Sequence, residues 1–184
     1  GTKCNQGIGA SSNAAIGFSG EPNWICTLEY NGSSWSAGVN MQNQRSFGAA
    51  AGTTNAGMVF GGSYPTGTSP YSCKQCSVEE FNGTTWSAKS KSLTGGNWVG
   101  GAGSTSAAIM QSGNSYTGNT EEYNFNTSGV CVSAWTAEGN LSTARYAANG
   151  AGTSNAFGIY NANPLCLSEY NSAATNGDRP VPAP

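Results

Sequence analysis

Four segments of this chain align on one another: "ASSNAAIGFSG" (10–20), "GTTNAGMVFGG" (52–62), "GSTSAAIMQSG" (103–113) and "GTSNAFGIYNA" (152–162). After each comes a variable loop and then a short run ending in Glu and an aromatic: "TLEYNG", "VEEFNG", "TEEYNF" and "LSEYNS". In three units a Trp follows, at Trp35, Trp86 and Trp135. Self-similarity at a spacing of about 40–50 residues is the mark of a repeat architecture, in which one unit cannot bury its own apolar surface and stacking supplies the core.

Each unit reads as strands. Apolar residues alternate or run for a few positions, and Gly, Asn, Ser or Thr closes both ends. "SSN", "TTN", "STS" and "TSN" read as hairpin turns, and "NG" after the Glu-aromatic run reads as a further hairpin before the Trp strand. The result is about four antiparallel strands per unit, with repeats at approximately 1–44, 45–95, 96–144 and 145–174 and a Pro-rich tail at 175–184. Gly is 27 of 184 residues, and no stretch has helical periodicity. "GAAAG", "VGGAG" and "AANGAG" put small residues in the first strand of a unit, whereas Trp falls in the last. Small inside and large outside is the taper of a radial array.

Composition narrows the chemistry. There is no His, and Asp178 is the only Asp, so the common nucleophile–base arrangements and His metal ligands have no parts. The seven Lys and Arg are scattered, which argues against nucleic acid as a partner. No apolar run approaches the ~20 residues of a spanning helix, so membrane insertion is not expected. The chain reads as no enzyme, with no cofactor and no metal. Six cysteines, Cys4, Cys26, Cys73, Cys76, Cys131 and Cys166, read as a disulfide framework with at least two bridges, in an oxidising setting.

An Arg opening the unit, a strand ending in Gly-Gly, then Glu-aromatic, then Trp resembles the kelch repeat, on Arg45, Gly61, Gly62, Glu80, Phe81 and Trp86. "YNGSSWSAGVNM" with the following "AAAGTTNAG" is similar to kelch-like repeats of tailed-phage and other environmental structural proteins. The resemblance spans nearly the whole chain. It implies an all-β fold, a kelch-like β-propeller of about four blades of four strands, with a β-solenoid of the same repeats as the alternative. The chain departs from the pattern in that only Gly61-Gly62 keeps the double glycine, and the fourth unit has no Trp. Copper oxidases on kelch propellers need His ligands, which are absent here.

Several residues are candidates for roles. Glu29, Glu80, Glu122 and Glu169 share one register and are expected to bond to Arg45, Arg145 or backbone. The loops after the second strands emerge on one face. Trp24, Tyr64, Tyr71, Tyr116 and Asn161 on them are candidates for binding a partner or surface glycans. Asn31, Asn82, Asn126 and Asn140 lie in N-x-S/T sequons and are candidate glycosylation sites. Without a Trp to fill the rim between the fourth and first blades, the last blade is expected to be under-built. Its third strand, with Leu165, Leu167 and Tyr170, is then an edge open to another chain. The functional expectation is an extracellular or virion-surface structural or attachment protein that self-associates or decorates an assembly of other protein subunits. The alternative is a secreted, lectin-like carbohydrate-binding module.

Overall fold

The structure is a computed structural model. It describes residues 6–20, 24–66, 69–111, 119–124, 134–138, 149–153, 156–162, 165–171 and 179–180, with side chains described for 6–9, 11–20, 24–64, 74–111, 119–124 and 137. Among these residues there is no helix, and the protein is all-β.

The strands form four up-and-down antiparallel sheets, one per repeat, none of them closed. The first holds β1 (Gln6–Ser11), β2 (Ala14–Phe18), β3 (Thr27–Tyr30) and β4 (Trp35–Ala37). In the second, β5 (Ala49–Thr53) and β6 (Ala56–Phe60) precede an inserted two-stranded hairpin, β7 (Ser63–Thr66) and β8 (Ser69–Lys74). That sheet then resumes with β9 (Val78–Phe81) and β10 (Trp86–Lys89). The third is β11 (Gly100–Gly103), β12 (Ala107–Gln111), β13 (Thr120–Asn124) and β14 (Ala134–Glu138). The fourth is β15 (Asn149–Thr153), β16 (Ala156–Ala162), β17 (Leu165–Asn171) and β18 (Arg179–Pro180). The first strands lie side by side, β1 against β5, β5 against β11, and β11 against β15.

Local chemistry sets the hairpins. Asn31 Oδ1 accepts from the N–H of Ser33 and Ser34, and Asn82 Oδ1 from those of Thr84 and Thr85, at 2.8–3.1 Å. The following glycines, Gly32 (φ 95°) and Gly83 (φ 90°), take the left-handed conformation that a side chain disfavours. The Asn-Gly pairs thus open four-residue loops, each closed by an N–H of the Asn donating to a carbonyl three residues on. Replacing Asn82 by Ala removes the acceptor for two turn donors and is expected to lower stability by about 1 kcal/mol, measurable by urea denaturation.

Period-2 alternation builds two cores, one on each face of the second sheet. Ile8, Ile16, Phe18, Met41, Val59, Phe81 and Trp86 pack together between the first and second sheets. Met58, Phe60, Val78, Val99, Ala108, Met110 and Tyr123 pack together between the second and third. Neighbouring residues of β6 therefore face opposite cores, and Gly57–Phe60 are buried on both sides.

The Trp strand acts in a direction that differs from the expected one. Trp86 is 4% exposed, stands edge-on to Phe18 of the first sheet (6.2 Å, 69°), and donates Nε1–H to the carbonyl of Val39 at 2.9 Å. A Trp fills the gap toward the preceding sheet. The Trp missing from the fourth unit is therefore missing from its junction with the third, and not from a return to the first. The fourth sheet also differs at its edge. Part of the tail forms β18, where Arg179 pairs with Glu169 and Pro180 with Ser168, so β17 is covered at those two residues.

Candidate functional site

A buried carboxylate joins the second sheet, and another the third, to the linker before it. Glu79 on β9 is fully buried and faces the first sheet's side. Its Oε2 accepts the N–H of Gln42 at 2.7 Å, and its Oε1 accepts Asn43 N–H at 3.1 Å and Asn43 Nδ2 at 3.2 Å. Arg45 Nη2 donates to the same Oε1 at 2.8 Å, with both side chains wholly out of solvent. The Arg45 fork also reaches the carbonyls of Gly61 (2.8 Å) and Ser77 (3.2 Å) and the Ser77 hydroxyl (3.2 Å). Burial pulls the Arg45 guanidinium below its ordinary value, and the charge and hydrogen bond of Glu79 pull it back. Glu121 repeats the device one unit on. It accepts the N–H of Leu93 and of Thr94 at 2.8 Å each and the Thr94 hydroxyl.

These are not the carboxylates expected from the Glu-aromatic register. Glu80, adjacent to Glu79 on the strand, points to the opposite face and pairs with Lys89 in a partly exposed bridge. A one-residue step in a strand exchanges faces. Arg45 therefore pairs with Glu79 and not with Glu80. Glu29 is half-buried against Gly38. Arg145 and the Glu169 side chain lie outside the described residues.

The loop face carries a feature that the sequence did not disclose. Phe47 and Trp98 occupy the same position in successive units, both with left-handed backbone (φ 56° and 58°), and their rings stack at 3.9 Å and 25°. Trp98 N–H donates to the Phe47 carbonyl at 2.7 Å. Bulky residues seldom hold this conformation, so the surroundings impose it. Of the loop candidates, Tyr64 on β7 is 46% exposed and Trp24 is half-buried, its carbonyl accepting from Arg45 N–H at 3.1 Å. Asn161 lies within β16 opposite Cys166, a strand position in place of the expected loop. Tyr116 and the Tyr71 side chain lie outside the described residues. So do Asn126 and Asn140, whereas the sequons at Asn31 and Asn82 are the exposed hairpin turns described above. Leu165, Leu167 and Tyr170 lie on β17 opposite Ala162, Tyr160 and Phe157.

The cysteine expectation needs correction at two positions. Cys26 and Cys76 are free thiols, both half-buried. They enter strands of different sheets, and the Sγ of Cys76 lies against Gly95 of the next linker. Cys4, Cys131 and the side chains of Cys73 and Cys166 lie outside the described residues.

The remaining surface of note is the outward face of the first sheet. In register, its Ala15, Tyr30 and Trp35 correspond to Gly57, Phe81 and Trp86 of the second sheet. The latter three are buried, whereas Trp35 is 53% exposed, with its ring tilted on Tyr30 at 5.1 Å. Beside Trp35 is a depression of about 470 Å³ floored by Gly7, Gly9, Ala15 and Gly17. Among the described residues no group of three or more His, Cys, Asp or Glu is placed to hold a metal ion. No protein-family model matches this chain, and no curated protein matches it in sequence.

Proposed function

We propose that the chain is a non-enzymatic structural or attachment protein of the kelch-like propeller type, working outside cells or on a virion surface and built to associate with copies of itself. The observation that carries this reading is the inequality of equivalent faces. The second and third sheets each have their Trp-side face buried under a preceding sheet, and the first sheet has the same kind of face open, with Trp35 on it. Exposed apolar faces of this kind are interaction surfaces. The low charge, 9% of residues, gives little electrostatic repulsion between copies.

The lectin-like alternative is favoured by two separate observations, the exposed Tyr64 and the strained Phe47–Trp98 stack. Sedimentation velocity across a hundredfold range of concentration separates the two. Mass rising with concentration is the expected result. A single-chain mass at every concentration, together with retention on a glycan array that is lost in Tyr64→Ala, gives the function to the loop face.

A further inference from the structure

The internal junctions show what such a face receives. Over Gly57 of the second sheet sits Ile8 of the first, so close that a Cβ on Gly57 would lie 2.8 Å from Ile8 Cδ1. Phe18, at the end of β2, stands against Trp86. At the next junction Phe60, at the end of β6, lies over Gly101, where a Cβ would come within 2.4 Å of its ring. Each junction thus sets a large residue of one sheet onto a glycine of the following sheet, Ile8 onto Gly57 and Phe60 onto Gly101. The first sheet offers the floor, with Gly7, Gly9, Ala15 and Gly17, the Trp wall, and a depression of about 470 Å³ between them.

The other half of this pattern stands at the far end of the chain. β5 and β6 match β15 and β16 position for position, which places Tyr160 at the register of Phe60. The neighbouring first strands run from β1 through β5 and β11 to β15, so β1 and β15 end the series, and Trp35 stays exposed with the fourth sheet present. We propose that the open face of the first sheet receives the last sheet, β15–β18, of a second copy of this chain, in a head-to-tail contact that repeats the internal junction. Such a contact is heterologous: the two halves are different surfaces, so two copies close a ring of eight sheets or further copies extend it. The proposal rests on the self-association reading and adds to it which surfaces meet.

The test uses the full chain and two variants, one per half. Ala15→Arg puts a charge on the floor without altering the buried cores. Tyr160→Asp alters the other half. Circular dichroism checks that both fold. Each variant alone is expected to weaken association by about 100-fold or more, since a charge at the centre of an apolar contact is left unpaired. Mixing the two is expected to restore a two-chain species, because the Ala15→Arg chain still supplies an intact last sheet and the Tyr160→Asp chain an intact first sheet. Trp35 emission, isolated by comparison with Trp35→Phe, is expected to shift to the blue as association proceeds. If the wild type associates but Ala15→Arg associates equally, this proposal fails and the self-association reading stands. If Ala15→Arg dissociates and Tyr160→Asp does not, the contact joins two first sheets, and the head-to-tail arrangement is wrong. A wild type that stays a single chain overturns both readings. Shielding of Trp35 from iodide in that single chain would assign the face to the chain's own last sheet.

Discussion

Arg45→Ala is expected to lower stability by about 3–5 kcal/mol, the cost of removing one partner from a buried ion pair. That is a large share of a total on the order of 5–15 kcal/mol. The loss has three parts. The Glu79 carboxylate stays buried and keeps the N–H groups of Gln42 and Asn43, but it loses its counter-charge. The carbonyls of Gly61 and Ser77 lose a donor. The emptied volume sits between the 42–45 linker and β9, where Arg45 is among the largest wholly buried side chains. Replacing both charges, as Arg45→Met with Glu79→Gln, is expected to cost less than the two single changes added together. Gln keeps an acceptor for the linker, and neither charge is then stranded. Additive losses in the denaturation cycle would show that Arg45 acts as packing and that its ion pair contributes nothing.

How much of this was legible beforehand differs by feature, for physical reasons. The repeat, the strands and the turns were readable because they rest on local chemistry: period-2 alternation, and Asn and Gly where the chain must reverse. The division of labour within "VEEF" was not. Val78 and Phe81 are both buried, on opposite faces of a sheet covered on both sides, so the apolar flanks give no hint of which Glu turns toward the linker. The acceptors for Gln42 and Asn43 N–H are set by a loop that has no periodicity of its own. The direction in which Trp86 packs depends on how successive sheets stack, which no single unit encodes. The open face around Trp35 was equally hidden, since Trp35 and Trp86 sit in near-identical segments and differ only in whether a sheet precedes them. The left-handed backbone at Phe47 and Trp98 runs against the preference of both residues, so nothing local in the sequence signals it.

The junction between the second and third sheets gives the other large effect. Phe60→Ala is expected to cost about 3–5 kcal/mol, because the ring is fully buried and its removal leaves a cavity lined by Met58, Val99 and Met110. Gly101→Ala is the complementary change. In an open strand, Gly to Ala would add stability by restricting the unfolded chain, about 0.4–1 kcal/mol. Here the added Cβ would lie 2.4 Å and 2.6 Å from two Phe60 ring carbons and 3.0 Å from Ala49 Cβ. The ring is packed on all sides and has nowhere to retreat, so the two sheets must separate or the ring must leave its rotamer. Overpacking of that kind costs about 1–3 kcal/mol, which exceeds the entropic gain and sets the sign as destabilising. In the Phe60→Ala background the obstruction is gone, the entropic gain remains, and the added methyl fills part of the cavity. Gly101→Ala is then expected to be neutral or stabilising. A reversal of sign between the two backgrounds, read as a change in thermal midpoint, identifies Gly101 as the seat for Phe60. If Gly101→Ala has the same effect in both backgrounds, Phe60 is not what confines that position, and the ring is not seated on Gly101.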